Sequence, residues 1–325
     1  MKSAFFYSKS YNFENVRIMI IRIAMVVNKS VLVTGSSGYI GRNLVSTISP
    51  DLKSLVAMYR QRIPDPVSNS YPVCLDLRNS DLLGAPLREI DTVVHLAWDD
   101  YGGEYGQNLE LVRNLVSKME EIRTRKLIIL SHSGASSDTK ESFLRSKYEI
   151  EKIALNSNLP KVVIIRSPVA VSGKEGEDPF LTGLLNLLRV PLIYPVPIPE
   201  SNKIDLISLA EVIEKLKESI LVDVELDRVM VEMDASVTVS VEVLLGHVSK
   251  VYKGQRKFGL KWGLGKQLLR LMNRLEGPSA FNFSDYIDQG RLFNTCSRSI
   301  EKSLSTGAGP TKEQWTNLGR LFSNA

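Results

Sequence analysis

The stretch Val31-Leu32-Val33-Thr34-Gly35-Ser36-Ser37-Gly38-Tyr39-Ile40-Gly41 decides the fold of this chain. Branched apolar residues run without interruption into Thr34, the composition of a strand covered on both faces. Glycines follow at once in the spacing G-x-x-G-x-x-G, and behind them an amphipathic helical pattern begins. Each glycine answers a separate steric demand. Gly35 permits a tight turn, Gly38 lets the backbone approach a phosphate, and Gly41 lets helix and strand pack closely. A helix that opens directly from such a turn offers its first N–H groups to an anion, so the segment reads as a diphosphate cradle on a βαβ unit.

Working outward, short apolar runs alternate with helical patterns. Ser30–Thr34, Ser54–Tyr59, Tyr71–Leu75, Thr92–Ala97, Lys126–Ser131 and Val162–Arg166 read as strands. Gly38–Ile48, Gly106–Ile122 and Glu141–Asn156 read as the helices between them. This alternation predicts an α/β fold, a Rossmann-type doubly wound parallel sheet with a smaller discontinuous C-terminal lobe. Beyond Pro168 the pattern loosens, with prolines at 179, 191, 195, 197 and 199. Helices are expected at Ser208–Ile220, Ser240–Tyr252, Gly259–Leu275 and Thr311–Phe322, and a strand at Arg228–Met233. The chain divides into an extension (1–28), a sheet domain (29–170) and a lobe with returning sheet elements (171–325).

With 43% apolar and 24% charged residues the chain has an ordinary globular balance and can bury a core of normal size. Its two cysteines, Cys74 and Cys296, are far apart and in no metal or redox spacing, which suits a reducing cytosol. No cluster has metal-ligand spacing, so no metal is expected. No G-x-S-x-G elbow supports a hydrolase. The apolar run Arg17–Val27 is interrupted by Arg22, has no cleavage site behind it and is too short to span a bilayer. The preferred reading takes Met19 or Met25 as the initiator, with a disordered or artefactual extension before it; an interfacial anchor is the alternative. The net charge of +5 is concentrated between Lys250 and Arg274, where eight basic residues occur without an acidic one. That segment reads as a helix with a solvated basic face, or as a weak membrane-surface or diphosphate contact across 250–275. A nucleic-acid partner lacks any recognition motif.

The order of motifs, TGxxGxxG at 34–41, then Asp76-Leu77, then Asp91-Thr92-Val93-Val94-His95-Leu96-Ala97, resembles the extended short-chain dehydrogenase/reductase family of nucleoside-diphosphate-sugar epimerases, dehydratases and reductases. The resemblance runs from about Val31 to Ala210. It implies NAD(P) held by Gly35, Ser37, Gly38, Tyr39, Ile40 and Gly41, with Asp76 and Leu77 beside the adenine. Leu96 and Ala97 would line the pocket near the adenine ribose and pyrophosphate. At the end of the second strand an acid would select NAD, whereas the sequence has Arg60, which favours the 2′-phosphate of NADP.

The resemblance also implies a catalytic Ser or Thr, a Tyr and Lys pair, and an Asn on the preceding helix, arranged to move a proton while hydride moves. Ser133 occupies the serine position by register and Asn108 the asparagine position. Phe143-Leu144-Arg145-Ser146-Lys147 matches the family's Y-x-x-S-K except at its first residue. Lys147 is therefore present, to hold the ribose, while Phe143 stands where the acid/base tyrosine belongs. Tyr148, one residue past Lys147, points away from that helix face. Tyr101, Tyr105 and His132 are near the same cleft, and His132 reads as a packed or surface residue. Gly134-Ala135 after Ser133 disfavours a 4,6-dehydratase. The resulting expectation is a cytoplasmic, homodimeric, NAD(P)-dependent epimerase or reductase acting on a nucleotide sugar in surface polysaccharide or related sugar metabolism. The alternative is a lapsed NAD(P)-binding protein with a sensing or scaffolding role.

Overall fold

The computed structural model describes residues 29–99, 106–139, 142–172, 178, 193–195, 203–223, 226–240 and 258–260. The expected elements at 1–28 and 311–322, most of those at 240–252 and 259–275, Tyr101 and Tyr105 lie outside the described residues.

Strands β1 (Ser30–Thr34), β2 (Ser54–Tyr59), β3 (Ser70–Cys74), β4 (Thr92–His95), β5 (Lys126–His132) and β6 (Lys161–Ser167) alternate with helices α1 (Tyr39–Ile48), α2 (Gly84–Leu87), α3 (Gly106–Glu121) and α4 (Ser142–Leu155). After β7 (Val169–Val171), β8 (Ile193–Pro195) and β9 (Lys203–Ser208) come helix α5 (Leu209–Leu221), β10 (Arg228–Glu232), β11 (Val237–Ser240) and β12 (Phe258–Leu260). Seven strands form one parallel sheet in the order β10-β6-β5-β4-β1-β2-β3. This is the doubly wound α/β arrangement expected from the sequence. The strand order reverses between β1 and β4, and a crevice opens there at the carboxyl ends of the strands.

The β-branched runs are buried on both sides because each sheet face carries its own apolar layer. On one face Leu32, Val93, Leu127 and Ile164 meet Leu111, Leu115 and Met119 of α3 and Ile150 and Ala154 of α4. On the other, Val31, Val33, Val94, Ile128 and Val163 meet Leu44 and Ile48 of α1 and Val212, Leu216 and Ile220 of α5. A third of the second layer thus comes from beyond residue 200, and β10 extends the sheet beside β6. The sheet domain is not complete at residue 170.

Several local expectations need correction. Ser208 is the N-cap of α5, its hydroxyl accepting from Ala210 N, rather than its first helical residue. Gly259 pairs with Tyr194 in a short parallel ladder, so no helix begins there. Ser240 closes β11, antiparallel to β9. Strands β7, β9 and β11 form a second, three-stranded sheet that the sequence reading lacked.

The C-terminus of α5 is held by ammonium groups from the sheet. Lys29 Nζ donates to the carbonyls of Ile220 and Leu221 at 3.0 and 3.2 Å. Lys126 Nζ donates to Ser219 and Val222 at 2.5 and 3.0 Å. Both reach Asp223, at 3.2 and 3.6 Å. These contacts satisfy orphan carbonyls and place positive charge at the negative end of the helix dipole. Lys126 is 1% exposed, and burial, then the neighbouring Lys29, pushes its ammonium down to about 8.

Among the described residues no helix is long and apolar enough to cross a membrane, and no group of three or more His, Cys, Asp or Glu could hold a metal ion.

Candidate functional site: a dinucleotide cleft at the strand switch point

Gly35 adopts φ +69°, and a Cβ on it would lie 2.7 Å from Ala97 N. Gly38 N–H donates back to Gly35 O at 3.0 Å, closing the turn. Ser36 anchors it from behind, its N–H and hydroxyl both donating to Met58 O, at 3.1 and 2.9 Å. A Cβ on Gly41 would overlap the Gly35 carbonyl, so α1 packs against its own turn. Gly38 is the N-cap of α1 and no side chain caps it, which leaves the helix-start N–H groups to an incoming anion.

The switch point is locked by Thr34. Its Oγ1 accepts from Leu96 N and Ala97 N, each at 3.2 Å, and lies 3.0 Å from His95 Nδ1. An oxygen already accepting twice donates its own proton to Nδ1. His95 is neutral, its pKa lowered to about 3 by burial and then by the charge of Lys147.

A cleft of about 570 Å³ runs over this turn. Gly35, Ser37, Gly38, Tyr39, Ile40, Gly41, Arg60, Asp76, Leu77, Leu96, Ala97 and Lys147 all line it, so every cofactor-site residue expected from the sequence is brought to one surface. An extended molecule with a central diphosphate fits this lining, with the unclaimed helix start at its middle and Arg60 and Asp76 at one end.

The two other catalytic expectations fare differently. Asn108 is buried and does not line the cleft. Its Oδ1 accepts from Asp99 N at 2.7 Å and its Nδ2 donates to Asp99 O at 2.8 Å, so it fixes the chain leaving β4. The Ser133 hydroxyl is buried, has no partner among the described residues and is not part of the cleft lining. Lys147 does face the cleft. Its Nζ lies 4.1 Å from the Trp98 ring centroid and 5.6 Å from that of Phe143, close to the Leu130 carbonyl at 3.5 Å. Trp98 and Phe143 pack edge to face at 5.1 Å, and Phe143 and His132 at 5.9 Å. An aromatic wall thus stands where the resemblance would put a phenol.

Sequence reasoning missed Trp98, Asp99, Ser131 and the structural placement of His132. Trp98 had one available signal, a large aromatic directly after the Leu96-Ala97 step. Asp99 Oδ2 accepts from Arg60 Nη1 at 2.6 Å, so the residue expected from the sequence to favour a 2′-phosphate holds a carboxylate. Ser131 Oγ donates to Glu151 Oε1 at 2.5 Å, and Glu151 takes a bidentate grip from Arg166 at 2.9 and 2.5 Å. Glu232 of β10 lies 3.7 Å from the same guanidinium, tying four elements beneath the cleft. Asp76 is held below the ordinary carboxylate range by hydrogen bonds from Arg78. Tyr39 donates to the buried Asp178 at 3.1 Å, and burial together with that charge raises the phenol above its ordinary value.

Comparison with known proteins agrees with this geometry. The model of the NAD dependent epimerase/dehydratase family matches residues 31–160. No curated protein matches the sequence. Among solved structures, MoeE5 in complex with UDP-glucuronic acid and NAD is similar at 21% identity, over 71% of this chain and 85% of that one, with a TM-score of 0.60. DesIV, a dTDP-glucose 4,6-dehydratase from Streptomyces venezuelae with NAD and TYD bound, is similar at 15% identity over 81% and 97%, with a TM-score of 0.60. The UDP-N-acetylglucosamine 4-epimerase from Methanobrevibacter ruminantium M1 is similar at 19% identity over 72% and 86%, with a TM-score of 0.56. At these identities the likeness establishes the fold, and the resemblance read from the motifs holds.

Proposed function

We propose that this chain is a cytoplasmic NAD(P)-dependent enzyme that modifies a nucleoside-diphosphate sugar, as an epimerase or reductase, in surface polysaccharide or related sugar metabolism. The observation that carries this reading is the convergence of twelve expected residues, Lys147 included, on one cleft. When bound, the dinucleotide supplies hydride exchange with a sugar carbon. The chain's own residues position it: the α1 N-terminus takes the diphosphate, Asp76 and Leu77 the adenine, and Lys147 the ribose beside the nicotinamide. Lys147 also brings positive charge to an oxygen that becomes more negative as hydride arrives at its carbon. Arg60 favours NADP, and Asp99 tempers that preference by competing for the guanidinium. Outward faces of α3 and α4 serve a homodimer, which sedimentation at micromolar concentration would report as a mass near twice 36.3 kDa.

The test is turnover of UDP-glucose, UDP-N-acetylglucosamine and dTDP-glucose with NAD or NADP, following cofactor absorbance and product isomers. Conversion of any of them supports the reading. Tight cofactor binding with no conversion defeats it, and favours a second reading, a cofactor-binding protein without turnover. One observation speaks for that second reading: Phe143, packed on Trp98, has no proton to exchange. Phe143→Tyr separates a lapsed site, which gains activity, from one that works by other groups.

A further inference from the structure

We propose that His132 donates a hydrogen bond from Nε2 to the oxygen on the reacting carbon of the sugar, replacing the hydroxyl donor that Phe143 lacks. The assignment rests on the enzymatic reading above. His132 is the last residue of β5, in register with Ser167 of β6, and lines the cleft together with Lys147 and Phe143. Its Nδ1 accepts the Gly134 N–H at 3.0 Å. A ring nitrogen that accepts carries a lone pair, so in the neutral imidazole the proton is on Nε2. Among the described residues nothing accepts from that nitrogen.

Neutrality follows from the surroundings: burial, then the Lys147 charge, lowers the imidazole to about 3. A neutral imidazole polarises an oxygen as a hydrogen-bond donor without ionising, a use of histidine that proteins obtain by depressing its pKa. The competing hydroxyls at this end of the cleft are already engaged. Ser131 donates to Glu151 Oε1 at 2.5 Å and Ser167 to the Pro168 carbonyl at 2.9 Å, while Ser133 does not line the cleft. Gly134 has a role here: its N–H sets the tautomer. Lys147 contributes charge from the same wall, so the oxygen meets a donor and a cation together. No proton leaves His132 in this assignment; it holds and polarises the oxygen.

The experiment compares the full-length protein with His132→Phe and His132→Gln on the same three nucleotide sugars, with NADH binding measured for each. His132→Phe is expected to lower kcat about 100-fold, as for loss of one preorganised donor. Its NADH affinity should stay within about twofold, the reach of an indirect effect, and His132→Gln, which restores an N–H, should recover part of the rate. Should the parent convert a sugar and His132→Phe match it, the assignment is wrong and the enzymatic reading stands. A parent that binds NADH and converts nothing overturns both. Independently of the variants, 15N spectra of histidine-labelled protein should show His132 protonated on Nε2 at neutral pH; a proton on Nδ1 rejects the assignment.

Discussion

At Gly41 a single methyl group has nowhere to go. Its Cβ would meet the backbone of Gly35 and Ser36, which flexible side chains cannot relieve. Gly41→Ala should therefore destabilise the fold by about 1–3 kcal/mol and weaken NADH binding by at least tenfold, read by urea unfolding and by fluorescence titration. A second residue-scale outcome concerns Asp99. With its carboxylate made neutral by Asp99→Asn, Arg60 loses a charged partner at 2.6 Å and turns to the ribose end of the cofactor. The ratio of NADP to NAD affinity should rise about tenfold, the worth of one charge-assisted hydrogen bond, measured by parallel titrations. The place of Arg60 in the cleft was legible, because it follows directly on the end of the second strand. Its partner was not: Asp99 follows β4, 39 residues on, and only the folded sheet, with β2 and β4 on either side of β1, brings the two together. Ser133 was legible as a register position, while the burial of its hydroxyl depends on the turn that Gly134 and Ala135 make, which no spacing encodes.

Elements show the same division between local and distant causes. Strands such as VVIIR in β6 declare themselves, because β-branched runs without polar interruption suit only a sheet covered on both sides. The short strands β7, β9 and β11 do not, since three to six residues are too few for a pattern to set a strand apart from a loop. Lys126 was read merely as the opening of KLIILS, yet its ammonium caps a helix 93 residues away. That placement has a pH signature. Lys126 titrates near 8 when folded against an ordinary 10.5, so between these values the unfolded chain binds more protons and stability rises with pH. Below pH 8 both states are protonated and this contribution is flat. The rise has an upper slope of about 1.4 kcal/mol per pH unit and is checked by urea unfolding between pH 7.5 and 10 (about the range bracketing the shift). Lys126→Met should abolish it and also leave the Ser219 and Val222 carbonyls unpaired, costing about 1–3 kcal/mol.

Considered as one molecule, the chain places its cleft where β1, β2, β5, β6, β7 and the loop that follows β4 all contribute lining residues. A ligand there reports on the whole sheet, not on one loop. NADH at 100 times its dissociation constant should stabilise the protein by about 2.7 kcal/mol and raise Tm by about 4–6 °C, whereas adenosine alone, lacking the diphosphate, should do far less. A calorimetric scan that finds no shift at saturating NADH would contradict the site.

The late arrival of α5 and β10 bears on how this protein is made. A ribosome that has released the first 170 residues has delivered six strands of the seven-stranded sheet and α1, but not the helix that covers the rest of one face. Val163, Ile128 and Val94 must wait beside water until Val212, Leu216 and Ile220 emerge, and β6 waits as an open edge. A nascent chain stalled in that interval would be a client for chaperones, and a gene cut at residue 170 would yield an aggregate rather than a smaller nucleotide-binding domain.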